Sequence, residues 1–234
     1  MKPSLSVIIP AFNEENNIAL TIENVLKAVS DRFSEYEIIV FNDCSRDSTG
    51  AIAQSASGRN RNIKVVHNKQ NRGFGYNYRT GVALARYEYI SMIPGDNEIS
   101  VQSICDLYDA VGSADIIIPY TINTLIRPVV RRLVSRAFTT MLNLLFHLKL
   151  RYYNGPVIHK KALIQSVDLS TDSFAFQAEA LITLLKKNYS YREIGMMLNI
   201  RRHGTSKAFR SKNIYGVLKT VLKLFYELQI RACW

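Results

Sequence analysis

Through the first half of the chain, short apolar runs rich in β-branched residues alternate with longer stretches of helical periodicity. The runs are Ser6 to Ile9, Glu37 to Phe41, Ile63 to Val66, Tyr89 to Met92 and Asp115 to Ile118. That rhythm predicts βαβ units and a parallel sheet covered on both faces. Ile18, Ile22, Val25, Leu26 and Val29 recur at helical spacing between the first two runs, and Ser48 with Thr49 supply a polar start for the next helix. The second half reads differently. It predicts a long, partly amphipathic helix from about Arg127 to Leu148, a glycine turn at Asn154 and Gly155, and a helix around Gln177 to Lys187. A strand-like segment follows at Ser190 to Ile200. A last helix, from about Asn213 to Arg231, places Ile214, Val217, Leu218, Val221, Leu222, Phe225 and Leu228 on one side.

In open α/β sheets, ligands bind beyond the carboxyl ends of the strands. The polar clusters that follow the predicted strands therefore define the expected site: Asn13 to Asn16, Asn42 to Asp47, Asn68 to Gly75 and Gly95 to Glu98. Asp43, Ser45 and Asp47 offer acceptors for a ribose or a base, and the same residues also suit a capped helix start. Asp96 and Glu98 bring two carboxylates, two residues apart, to a strand end. That spacing suits Mg²⁺ or Mn²⁺, which are held by one or two carboxylates plus substrate phosphate oxygens. A plain β-turn is the alternative for the same residues.

The chain has 234 residues, 47% of them hydrophobic and 21% charged. This describes one folded domain, or a domain with a short appendage, and excludes disordered or low-complexity chains. Cys44, Cys105 and Cys233 have no metal-type spacing and leave an odd count, which fits a reducing compartment. Charges interrupt every apolar stretch before the roughly 18 residues a spanning helix needs, and the amino terminus reads as a first strand rather than an export signal. The formal charge is +11, and it is uneven. Residues 1–120 hold 11 Lys and Arg against 14 Asp and Glu, whereas residues 121–234 hold 19 against 5. A basic face on the second half predicts an anionic partner. Arg131, Arg132 and Arg136 on a helical face, with Arg201, Arg202 and Lys207 in a glycine-containing loop, suit phosphate. No HExxH or GxSxG pattern supports hydrolase chemistry.

Taken in order, these segments resemble the family 2 glycosyltransferases of GT-A fold, especially the branch of dolichyl-phosphate mannose synthase and the bacterial polyprenyl-phosphate glycosyltransferases. The resemblance rests on Ile9 to Glu15, Asn42 to Thr49, Asn71 to Gly81, Pro94 to Glu98, Arg132 with Ser135 and Arg136, Asn154-Gly155, Phe174 to Glu179, and Arg202 to Lys207. It implies an α/β GT-A fold, Rossmann-like, with a mostly parallel central sheet and helices on both faces. Residues 1–212 would form the catalytic domain, and residues 213–234 a carboxyl-terminal amphipathic helix that packs mainly on the domain's own core, with part of its face exposed to a membrane interface as the alternative role.

The implied reaction is inverting transfer of a sugar from a UDP- or GDP-linked donor to a polyprenyl phosphate, with Mg²⁺ or Mn²⁺. It would take place at the cytoplasmic face of an anionic membrane, with a membrane-protein partner as an open alternative. Pro10, Ala11, Asn13, Glu14, Asp43, Gly73, Arg79 and Asp96 would bind the nucleotide sugar, and Asp96 and Glu98 the metal. Arg132, Ser135, Arg136 and Arg202 would bind the acceptor phosphate, with Asp96, Arg132, Arg202 and Lys207 carrying catalysis. The expected rivals are transfer to a sugar hydroxyl, which needs a carboxylate base, and a non-catalytic nucleic-acid-binding role. Glu179 is the one carboxylate in the segment where that base is expected, and helix packing or a salt bridge is the role its position favours.

The chain also departs from the pattern. The first Asp of the metal triplet falls at Pro94, an expected Arg at Thr121, and an expected Asp at Arg151. Asn42 and Cys44 replace the usual Asp and Gly around Asp43.

Overall fold

The computed structural model describes residues 2–172, 175–200 and 211–230. Seven strands form one sheet in the order β3-β2-β1-β4-β6-β5-β7. They are β1 (Ser4–Ala11), β2 (Glu35–Asn42), β3 (Ile63–His67), β4 (Tyr89–Met92), β5 (Ile116–Thr121), β6 (Ile158–Lys160) and β7 (Tyr191–Met196). All neighbours are parallel except β6, which runs antiparallel between β4 and β5. The three-residue β6 lies just past the Asn154-Gly155 turn and is too short to show a period in the sequence. Its role is visible only in space, where it joins the amino-terminal half of the sheet to β5 and β7.

Alternation along the strands explains how both faces are buried. Leu5, Val7 and Ile9 of β1, with Ile38 and Val40 of β2, pack in one core cluster. Ile8, Ile39 and Phe41 pack in the other. Helices α1 (Ile18–Val29) and α4 (Val101–Asp109) cover the first face, with Ile22, Val25 and Leu107 buried against it. The opposite face takes α3 (Phe74–Leu84), the end of α5 (Val129–Phe146), the short α6 (Lys161–Gln165) and α7 (Phe176–Lys186). Helix α2 (Thr49–Arg59) lies beside β3, and α8 (Ser211–Phe225) closes the described chain, its last turn widening to a π-helix at Tyr226–Ile230. Val221 and Leu224 of α8 are buried in the second cluster, and Phe225 meets Phe146 edge-on. Leu222 and Lys219 face outward.

Candidate active site

Three loops at the carboxyl ends of β1, β2 and β3 are laced into one surface. Asn13, in a left-handed conformation at φ 56°, donates its N–H to Ser45 Oγ and accepts from the Arg46 N–H through Oδ1. Glu14 donates its N–H to Thr49 Oγ1, and the Glu15 carboxylate accepts from the Ser48 N–H. Pro10 and Ala11 form the buried end of β1 beneath this lacing. Cys44 sits at φ 63°, the left-handed region that costs a side-chain-bearing residue about 1–2 kcal/mol. The glycine expected there by resemblance would adopt it freely. Asn42 also departs from that pattern, and its amide nitrogen lies 3.0 Å from His67 Nδ1. An aspartate there would lack the donor.

Asp43 takes a different role from the open acceptor that the sequence suggests. Its side chain is 4% exposed, and both oxygens are engaged within the protein. Oδ1 accepts from Asn68 Nδ2 at 2.7 Å and the Arg72 N–H at 2.8 Å, and Oδ2 accepts from the Gly73 N–H at 2.9 Å. A carboxylate has about four lone-pair positions, so three are spent shaping the loop between β3 and α3.

Gly73, at φ 88°, and Arg79 likewise act on the chain itself. Arg79 pairs with Asp172 and donates to the Leu169 carbonyl. Beside them, the Gly75 N–H donates to the Asp172 carbonyl, and a Cβ on Gly75 would lie 2.5 Å from the Thr171 carbonyl oxygen. Glu179, 2% exposed on α7, holds the same segment by accepting from the Ser170 N–H, the Ser170 hydroxyl and the Thr171 N–H. Residues 169–172 are therefore clamped between α3 and α7, with Glu179 held by hydrogen bonds to Ser170 and Thr171 rather than by a salt bridge.

Asp96 and Glu98 sit half-buried in the turn after β4. The turn is pressed onto the end of β1 and onto α1: the Gly95 N–H donates to the Pro10 carbonyl, and Thr21 Oγ1 donates to the Gly95 carbonyl. Asn97 takes φ 53° and is held by Asn24, while Asn199 donates to the Glu98 carbonyl from beyond β7. Asp96 Oδ1 accepts from the Glu98 N–H at 3.2 Å. No group of three or more His, Cys, Asp or Glu side chains suited to a metal lies among the described residues. Two oxygen-bearing side chains fit a hard cation that draws its remaining ligands from a diphosphate and water.

A second cleft, of about 320 Å³, lies between the end of β5 and the first half of α5. Arg132, Ser135 and Arg136 line it, joined by Arg127, Arg131 and Arg151; among the described residues its lining contains no carboxylate, Glu193 reaching Arg151 Nε at 3.8 Å from outside it. Arg127 Nη1 donates to the Tyr152 hydroxyl at 3.2 Å, and the Arg151 guanidinium lies 4.5 Å from the centre of the Tyr120 ring. The Nε atoms of Arg127 and Arg132 and the Thr121 hydroxyl are buried without a protein partner. Buried donors left unpaired are costly, and a cluster of guanidiniums of this kind suits an oxyanion. Thr121 and Arg151, two of the departures from the expected pattern, line the same wall. The sequence places Arg127 at the start of the long helix, but Pro128 delays α5 to Val129 and Arg127 enters the cleft from the preceding turn; the two tyrosines carry no signal in the sequence. Arg202 and Lys207 lie outside the described residues.

A mostly parallel sheet with one antiparallel strand, interlaced polar loops at its carboxyl edge and a carboxylate pair at a strand end are the architecture of a GT-A glycosyltransferase. The glycosyl transferase family 2 model matches residues 6–185, and the chain belongs to that family. A dodecaprenyl-phosphate galacturonate synthase of Rhizobium johnstonii is 23% identical over 226 residues, spanning 95% of this chain and 67% of that protein. A dolichyl-phosphate beta-glucosyltransferase of Dictyostelium discoideum is 32% identical over 99 residues, 39% of this chain and 30% of that protein. The chain spans about a third of the length of several such curated relatives. Glucosyl-3-phosphoglycerate synthase from Mycobacterium tuberculosis, solved with Mg²⁺ and uridine diphosphate, has the same fold. Its TM-score is 0.72 at 17% identity, over 94% of this chain and 79% of that one.

Proposed function

We propose that this protein transfers a sugar, with inversion, from a nucleotide-diphosphate sugar to a polyprenyl phosphate. The observation that carries this reading is the carboxylate-free arginine cleft with buried, unpartnered guanidinium donors. A hydroxyl acceptor needs a base, and Glu179, the carboxylate expected to supply it, is spent on Ser170 and Thr171. A phosphate acceptor is already ionised near neutral pH. One of its oxygens attacks the anomeric carbon while the bond from that carbon to the donor diphosphate breaks with its electron pair, so no proton has to move. Arg132, Ser135 and Arg136 hold the attacking phosphate, with Arg202 and Lys207 assigned to the same task by resemblance.

On the donor side, the surface formed by Pro10, Ala11, Asn13 and Glu14 receives the nucleotide, and Asp43, Gly73 and Arg79 keep its walls in place. Asp96 and Glu98 would hold Mg²⁺ or Mn²⁺, which supplies charge neutralisation for the departing nucleoside diphosphate. Both relatives named above carry a polyprenyl-phosphate acceptor in their names. A site for a lipid substrate belongs at a membrane surface, and we assign the cytoplasmic face, where nucleotide sugars are available. Residues 1–212 act as the catalytic unit in this reading, with 213–234 as a carboxyl-terminal amphipathic helix that meets the membrane surface.

Incubation with labelled nucleotide sugars, divalent metal and a short polyprenyl phosphate tests the proposal. Label should enter the organic phase, and Asp96→Ala should lower turnover by at least about a hundredfold, the scale of a lost electrostatic group. Transfer to sugar hydroxyls with no lipid product would overturn the acceptor, and full activity of Asp96→Ala would overturn the metal site.

A further inference from the structure

The cation content of the arginine cleft exceeds what one phosphate needs. Five arginines line it without a carboxylate, whereas a phosphate monoester carries a charge of about −2 at most. The arginines also fall into two sets. Arg131, Arg132 and Arg136 project from α5, and Arg132 and Arg136 are the ones assigned above to the acceptor phosphate. Arg127 and Arg151 lie outside that helix, and each is fixed by an aromatic partner. Arg127 is hydrogen-bonded to the Tyr152 hydroxyl, and Arg151 is stacked on Tyr120.

Tyrosine-held guanidiniums are preorganised: less rotamer entropy is lost when a ligand arrives. Glu193 lies outside the lining. It accepts from the Arg151 backbone N–H at 2.8 Å and approaches the side chain only to 3.8 Å at Nε. Arg127 still has a buried Nε with no partner among the described residues, and the Thr121 hydroxyl of the same lining is equally unpaired.

We propose that Arg127 and Arg151 form a second oxyanion subsite in this cleft, distinct from the phosphate grip of α5. The substrate that fills the cleft then carries two anionic groups. The ligand chemistry is a planar or tetrahedral oxyanion that takes the guanidinium fork, either the second phosphate of a lipid diphosphate or a carboxylate on the sugar. This extends the phosphate-acceptor reading of the same cleft, and its test is independent of turnover.

Calorimetric titration without divalent metal compares two matched probe pairs: geranyl phosphate with geranyl diphosphate, and glucose 1-phosphate with glucuronic acid 1-phosphate. The two-anion member of at least one pair should bind about tenfold more tightly than its partner, the scale of one charge-assisted contact. A diphosphate advantage identifies a lipid diphosphate, and a uronate advantage identifies an acidic sugar. Arg151→Gln should abolish the advantage while changing one-anion affinity less than about twofold. Arg132→Gln should weaken both members of a pair. The Arg151 side chain is 62% exposed, so its replacement should leave the melting temperature unchanged. Equal affinity within both pairs, or an Arg151→Gln loss shared by one-anion and two-anion probes, overturns the second subsite while the phosphate grip stands. Failure of every probe to bind overturns both.

Discussion

His159, in the middle of β6, is enclosed by the core, and burial pushes its imidazole pKa down to about 3. Burial also pushes the Tyr78 phenol up, so Tyr78 stays neutral, and its hydroxyl shares a hydrogen bond with His159 Nδ1 across 3.1 Å. The other ring nitrogen, Nε2, is buried without a partner among the described residues. The sign of the pH effect follows. An unfolded histidine takes up a proton below about 6.5, whereas the folded one stays neutral until about 3, so the unfolded state gains stability as pH falls through that window. Unfolding free energy should drop by up to about 1.4 kcal/mol per pH unit on this account. His159→Gln should shrink the difference in melting temperature between pH 7 and pH 5; an unchanged difference would mean that other groups set it.

Glu179 belongs to the same scale. Its removal strands three donors at Ser170 and Thr171, so Glu179→Ala should lose about 3 kcal/mol in denaturant unfolding. Glu179→Gln, which keeps an acceptor and the shape, should leave turnover within a few-fold of wild type. A collapse of turnover in the folded Gln variant would make this residue a base.

At the scale of elements, the join between α3 and residues 169–172 depends on one missing side chain. A Cβ at Gly75 would meet the Thr171 carbonyl oxygen at 2.5 Å and two Asp172 backbone atoms at 2.8 Å, and backbone cannot rotate aside. Gly75→Ala should therefore cost about 1–3 kcal/mol by overpacking and, by displacing the Gly73 loop, weaken nucleotide-sugar binding. Gly58, near the end of α2, has nothing within 4 Å of its would-be Cβ. Gly58→Ala should stabilise by about 0.5–1 kcal/mol through the unfolded chain, with binding unaltered. Melting curves and nucleotide titrations on the two variants separate the effects. Helix α5 shows a comparable division of labour. Leu142 and Phe146 anchor its end in the core, while its first half displays arginines on one side and Val129, Val130, Leu133 and Val134 on the other.

For the whole molecule, the uneven charge becomes a surface. No acidic residue occurs between Asp115 and Asp168, a segment holding eight Lys and Arg. Leu125, 81% exposed, and Val130, 69% exposed, extend the apolar strip beside the arginine cleft. No helix of the described residues is long and apolar enough to cross a membrane. An apolar strip beside basic residues instead suits shallow insertion into an anionic lipid surface. Co-sedimentation should show binding to anionic vesicles that weakens with salt, and Leu125→Ser with Val130→Ser should reduce it without lowering the melting temperature. Equal binding to zwitterionic vesicles would contradict the electrostatic share of this picture.

Periodicity alone determined five strands of the sheet's parallel framework, the long helix α5 and the loops at which ligands collect, because burial on both faces writes apolar runs into the chain. It also placed Asp96 and Glu98 together, since two residues of separation in a turn is a local fact. Tertiary structure decided the rest. The three residues of β6 make a strand only because β4 and β5 offer edges to pair with. Asp43 and Arg79 look like ligand groups in sequence, yet Asn68, Arg72, Gly73 and Asp172 reach them first, from 25 to 93 residues away. The cleft that unites Arg127, Arg132 and Arg151 forms where β5, α5 and the segment before β6 converge, and that convergence depends on long-range packing that no local pattern encodes.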